Sequence, residues 1–125
     1  HLARVGMARV LIAQKQYSEA KSHLQTVLDR GTSEVAAEAQ FLMGDIARVQ
    51  GDCETAVVEY LKTKYLYGGE RQWVIKSVYN AALCNEELDN PGDSRRLYQS
   101  LIRDFPGDTT YVEKAKSRLQ TLAGE

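Results

Sequence analysis

Residues 51–60 read Gly-Asp-Cys-Glu-Thr-Ala-Val-Val-Glu-Tyr. Gly51 is the residue type that closes a helix, because glycine takes the left-handed conformation without steric cost, and Asp52 is the type that caps the next one. Positions four apart in a helix share a face, one turn above the other, so Ala56 and Tyr60 point at a single neighbour. A small residue followed one turn later by an aromatic one implies a facing helix that comes close at Ala56 and diverges at Tyr60. The stretch therefore reads as the second helix of a pair.

The same pattern recurs on both sides. Ala8 is matched with Ala20, Gly44 with Ala56 and Ala82 with Ser94, each twelve positions apart (20−8, 56−44, 94−82). A large residue follows four positions later each time, namely Leu24, Tyr60 and Tyr98. The units start at Ala8, Gly44 and Ala82, a nearly even spacing (44−8, 82−44), with the extra residues around Gly31 and Gly68-Gly69. The spacing predicts one all-α domain over 1–125, with helix pairs at about 1–31, 33–68 and 71–106 and a terminal helix at about 109–122. Ser33 is expected to cap the helix that runs to about Gln50. Asn90-Pro91 should open another, with Asn90 as cap and Pro91 as its first residue. Thr110-x-x-Glu113 has the form of a capping box. Gly44, inside a helix, gives up ~1 kcal/mol relative to Ala, and close approach of the facing helix at Ala56 is the expected compensation.

Sixteen basic residues against seventeen acidic ones leave a net charge of −1, which lacks the basic footprint of a nucleic-acid binder. The longest aliphatic run, Val10 to Ala13, is far too short to span a bilayer, so direct membrane insertion is not expected. No signal-peptide pattern is visible. The sequence starts at His1 directly in a helical pattern, and the first helix, with Leu2, Val5, Val10 and Leu11, is too apolar for an end cap. The last helix offers Lys114, Lys116, Ser117 and Arg118. The expectation is a piece of a longer chain, with further repeats before His1 and the array finishing near Glu125.

These spacings resemble the tetratricopeptide repeat, whose first helix carries Leu-Gly-x-x-Tyr and whose second carries Ala-x-x-x-Phe, with a closing Pro. The matching residues are Met7-Ala8, Tyr17, Ala20 and Leu24; Met43-Gly44, Gly51-Asp52, Ala56 and Tyr60; and Ala81-Ala82, Tyr98 and Pro106. Departures are Arg4, Gln40 and Val78 in place of the early aromatic, Ser94 in place of Ala, and no closing Pro in the first two units. The resemblance implies a right-handed superhelix of three helix-turn-helix repeats and a C-terminal capping helix. It implies a non-catalytic scaffold or adaptor that holds a peptide or partner protein in its concave groove. The alternative is a structural spacer or self-association module of a larger bacterial envelope protein, with self-association through the first repeat. Tyr98-x-x-Leu101-Ile102-x-Asp104-Phe105-Pro106 and Ala115-x-x-x-Leu119 are similar to bacterial envelope proteins of outer-membrane assembly and of the Tol-Pal system, which implies a periplasmic location, with the cytoplasm as the alternative. Chaperone-binding relatives clamp a carboxylate with Lys and Asn where this chain has Val5 and Arg9, so that function is not expected.

Nothing in the sequence assembles an enzyme. His23 lies among Ser22, Gln25 and Thr26 and reads as a surface residue, without a clustered acid, base or nucleophile. Gly68-Gly69-Glu70-Arg71 lacks the Lys-Ser/Thr of a phosphate-binding loop. Glu34, Glu38, Glu86 and Glu87 read as solvated helix faces. No cofactor and no metal site is expected. Cys53 sits at a helix start, where the dipole can lower a thiol pKa, and Cys84 lies in an apolar stretch. Both read as small core residues outside any CxxC or zinc spacing, with a disulfide between adjacent repeats as the alternative. What remains is surface. Counting from the small residues, the groove candidates are Val5, Arg9 and Ile12, then Phe41, Asp45 and Arg48, then Tyr79, Leu83 and Glu86. For Phe41 and Tyr79 the alternative is packing between repeats.

Overall fold

The computed structural model describes residues 1–124, so Glu125, where the array was expected to finish, lies outside the described residues. Seven α-helices and no strand are found among them: α1 (Leu2–Ala13), α2 (Tyr17–Arg30), α3 (Ser33–Val49), α4 (Cys53–Leu66), α5 (Arg71–Glu87), α6 (Pro91–Asp104) and α7 (Thr109–Ala123). Each helix packs antiparallel on the next in sequence. In addition α1 touches α3, α3 touches α5 and α5 touches α7, whereas among the described residues no two even-numbered helices meet. The odd-numbered helices therefore form the tighter inner layer, and the stack curves towards them.

Three chain reversals within helix pairs share one backbone device. Lys15, Gly51 and Asp89 all have positive φ (63°, 80° and 59°). After each, an amide reaches back across the turn to the same helix: Gln16 N–H to Leu11 C=O at 2.8 Å, Asp52 to Ala47 at 2.9 Å and Asn90 to Asn85 at 2.8 Å. These are Schellman motifs, which satisfy carbonyls left without partners at a helix end. Only Gly51 announces the conformation in the sequence. Lys15 and Asp89 adopt it because the hydrogen bonds and the docking of the next helix outweigh the steric cost, about 1–2 kcal/mol.

Helix starts differ from expectation in detail. The Asp52 carboxylate accepts the Thr55 N–H at 3.1 Å, as its position suggests. The last helix, however, is capped by Asp108, which accepts from Tyr111 N–H at 3.1 Å, and not by Thr110, which lies inside the first turn. An ionised carboxylate at the positive end of the helix is the stronger acceptor. Thr32, not Ser33, occupies the cap position of α3, and Asn90 occupies that of α6 without a side-chain bond, leaving Pro91 as the working start signal.

The small and large residues that defined the repeat are interior. Ala8, Ala20, Leu24, Ala56, Tyr60, Ala82, Ser94 and Tyr98 have no exposed surface, and burial of a side chain the size of Leu24 stabilises by about 1.5–3 kcal/mol. Gly44 is also buried, and the facing helix does come close to it: a Cβ there would lie 2.8 Å from Tyr60 Cγ, so the aromatic ring supplies its nearest atoms. Ser94 gains something Ala would lack, since its hydroxyl donates to the Ala82 carbonyl at 2.8 Å. In α7, Val112, Ala115 and Leu122 are buried like Val74, Ser77 and Cys84 of α5, at one constant offset (112−74, 115−77, 122−84). Glu113, Lys116 and Gln120 stand exposed where Ile75, Val78 and Ala82 are buried, so α7 is a first-type helix whose second apolar face has been made polar.

Candidate partner-binding face

The inner layer brings most of the expected groove residues to one face. Arg9, Phe41, Arg48, Tyr79 and Glu86 reach side chains on neighbouring odd-numbered helices, Leu83 packs at the rim of the core, and Asp45 accepts from Tyr60 of α4. Ile12 is half-buried against the first core cluster. Val5 is not a surface residue: it is 2% exposed and packs in that same cluster, because α1 turns its 5, 8 and 11 positions toward α2 and α3. Phe41 and Tyr79 are half-buried and do pack on the core.

A constant register organises the face. Phe41 lies between the rings of Tyr60 and Trp73, with centroids 5.7 and 5.6 Å away. Tyr79, its counterpart in the next repeat, lies between Tyr98 and Tyr111 at 5.8 and 5.4 Å. Lys76 sits over Trp73 at 4.7 Å, and Lys114 over Tyr111 at 4.9 Å, each cation held against the negative face of a ring. Arg48 donates to Asn80 at 2.7 Å, and at the corresponding positions Glu86 accepts from Arg118, with Nε to Oε2 at 3.0 Å.

Polar groups here are mostly paired within the protein. Arg9 meets Glu38 at 2.6 Å, so Glu38 is an ion-pair partner and not the freely solvated residue the sequence suggested. Glu86 likewise is only 14% exposed at its side chain and takes hydrogen bonds from both Arg118 and Tyr98. The Arg118 hydrogen bonds hold its carboxyl below the usual range in spite of burial. Asp45 behaves oppositely. Burial pushes its carboxyl up, against the 2.5 Å hydrogen bond from Tyr60 and the more distant charges of Arg9 and Arg48. Both tyrosines are raised by burial and by the carboxylates they donate to. Among the described residues, Lys76 and Lys114 have no carboxylate within 4.0 Å, which leaves them as cations available on the face.

Sequence reasoning missed Glu38, Trp73, Lys76, Lys114 and Arg118. Glu38 and Lys76 lie one turn before Phe41 and Tyr79, and the 73/111 and 76/114 coincidences of aromatic and Lys were visible in the same period that identified the units. Cys53 is buried, as expected of a small core residue, but the helix start does not lower its thiol pKa. Its thiol is pushed up to about 12 by burial and by the Glu87 carboxylate, which outweigh the dipole at the start of α4. Cys53 and Cys84 are both buried free thiols.

No ligand-sized cavity is found among the described residues, and none of their helices is long and apolar enough to cross a membrane. Stacked antiparallel helix pairs with a shared inner face and a constant register define a helical-repeat protein. The sequence model of one such family, the tetratricopeptide repeat, matches residues 5–63, and a second model of the same description matches 76–108. The chain belongs to the tetratricopeptide repeat family. Its members are generally protein–protein interaction modules and typically non-catalytic. No curated protein matches the chain.

Proposed function

We propose that the protein is an adaptor that binds an extended, acidic segment of a partner protein along the inner face of α3, α5 and α7. The observation that carries this reading is the pair of cations over aromatic rings, Lys76 on Trp73 and Lys114 on Tyr111 and Tyr79, with no carboxylate within 4.0 Å among the described residues. A partner carboxylate would meet a half-buried cation at Lys76 and an exposed one at Lys114, and its neighbouring apolar groups would meet the edges of Phe41 and Tyr79. Arg48, which the sequence placed in the groove, ties α3 to α5 through Asn80 and Glu87 and serves the face as a support.

Trp73 is the single tryptophan and reports on this face directly. Peptides selected from a displayed random library on the wild type should be enriched in Asp and Glu, should change Trp73 fluorescence, and should lose at least tenfold in affinity with the Lys76→Glu, Lys114→Glu double variant. Selected peptides that bind the double variant equally well would contradict the reading. A second reading, self-association, is favoured by one observation: Leu2, Met7 and Val10 of α1 are exposed, Leu2 by 71%. Light scattering of wild type against Val10→Glu separates it, and Val5, being buried, is unsuited to that test. An envelope location rests on the residue pattern from Tyr98 to Pro106 and at Ala115 and Leu119, and fractionation of cells making the full-length protein tests it.

A further inference from the structure

We propose that Cys53, Cys84 and Glu87 form a binding site for a thiophilic divalent cation of the zinc class, with solvent completing a four-coordinate shell, which ties α4 to α5. The two sulfurs and a Glu87 carboxylate oxygen all lie within 4.8 Å of one another, and Cys53 Sγ is 2.8 Å from Glu87 Oε2. A tetrahedral zinc ion, with bonds of about 2.3 Å to sulfur and about 2.1 Å to oxygen, sets its donors roughly 3.5–3.8 Å apart, a span that the observed separations bracket. The donors come from two elements that the repeat stacking holds together. Cys53 is the first residue of α4, and Cys84 and Glu87 are three apart on one face of α5.

The surroundings suit a cation with two thiolates. Both sulfurs are buried, whereas the Glu87 side chain is 54% exposed and opens the site to solvent from one side. Arg48 donates to Glu87 Oε1 at 3.2 Å, which leaves Oε2 for the ion and fixes the plane of the carboxylate. Two thiolates, one carboxylate, a divalent cation and the Arg48 guanidinium together carry no net charge. On binding, each thiol releases one proton to solvent as its sulfur–metal bond forms, with no change in oxidation state. The sequence could not display the site, because Cys53 and Cys84 belong to different repeats and meet only through the stacking of two helix pairs.

Cobalt(II) is the probe. Added to the reduced protein, it should give a thiolate-to-cobalt charge-transfer band in the near ultraviolet and the intense visible bands of a tetrahedral ion. Saturation should come at one cobalt per chain, and zinc should abolish the spectrum. Glu87→Gln, at an exposed position, should keep the helical circular dichroism and lower cobalt affinity at least tenfold, while Cys53→Ser should reduce the charge-transfer intensity by about half. Should Cys53→Ser fail to fold, Glu87→Gln carries the test alone. Absence of the charge-transfer band at millimolar cobalt, unchanged affinity in Glu87→Gln, or one cobalt per two chains would each overturn the proposal.

Discussion

The second and third helix pairs solve one problem in two ways. Each places a tyrosine at the same position of its second helix, Tyr60 and Tyr98, fully buried and donating to a carboxylate on the helix before it. In the second pair the ring lies over Gly44 and the hydroxyl meets Asp45, the next residue along α3. In the third pair Ala82 fills the place of Gly44, and the hydroxyl meets Glu86, one turn further along α5. The carboxylates then diverge. Glu86 has Arg118 of α7 bonded to it and is held ionised, whereas among the described residues Asp45 has no bonded cation and is pushed toward its neutral form by burial. Equivalent tyrosines thus meet carboxylates one turn apart, of which one becomes a strong tie between helices and the other a carboxylate whose burial is a liability, according to what the following repeat supplies.

The largest expected effect comes from giving the second pair the small residue of the third. Gly44→Ala places a methyl against a ring that is buried and hydrogen-bonded, so it should destabilise by about 2–3 kcal/mol, the upper range for overpacking, in spite of the better helix propensity of Ala. A denaturation midpoint at or above wild type would show that the Tyr60 ring has room to move. Next in size is Arg118→Ala, which leaves Glu86 largely buried without its cation. With Arg118 itself about a third exposed, a loss of about 1–2 kcal/mol is expected, below the range for fully buried pairs. The double variant with Glu86→Gln should recover part of it, and simple additivity would mean the two residues are not coupled.

The smallest effect has the opposite sign. Because the folded-state pKa of Asp45 is raised, the folded chain holds the proton more tightly than the unfolded one, and ionisation of Asp45 opposes folding above that raised value. Asp45→Asn keeps an oxygen for the Tyr60 hydroxyl and should raise stability at pH 7, by less than either change above. Its advantage over wild type should shrink as pH falls through the folded pKa toward 3.8, the ordinary Asp value. Chemical denaturation of both proteins from pH 7 to pH 4 measures the difference, and a less stable variant at pH 7 would mean that the hydrogen bond outweighs desolvation.

The helices were legible because their signals are local: small residues twelve apart, Asp52 and Pro91 at helix starts, Gly51 at a helix end. Lys15 and Asp89 hid the backbone conformation of the other two turns, though not the turn at Asn90-Pro91 itself, since nothing in those side chains demands positive φ, and only the backbone bonds that follow impose it. On the face, Arg9, Phe41, Arg48, Tyr79 and Glu86 were found by counting from the small residues. That count treats a helix face as uniform. It cannot say that Val5 is covered by a neighbouring pair, that Arg48 is engaged by Asn80 and Glu87, or that Lys76 is left without a carboxylate. Those facts depend on residues contributed by the adjoining repeat.

In the proposed function the inner face of α3, α5 and α7 receives an acidic segment. Nuclear magnetic resonance mapping of a selected acidic peptide onto the isotope-labelled protein tests it most directly. The account predicts shifts at the Trp73 indole N–H, Tyr79, Tyr111, Lys76 and Lys114, weakening as salt is raised. Shifts confined to the exposed outer residues Val58, Tyr65 and Leu66 of α4, or to Leu2, Met7 and Val10 of α1, would contradict it.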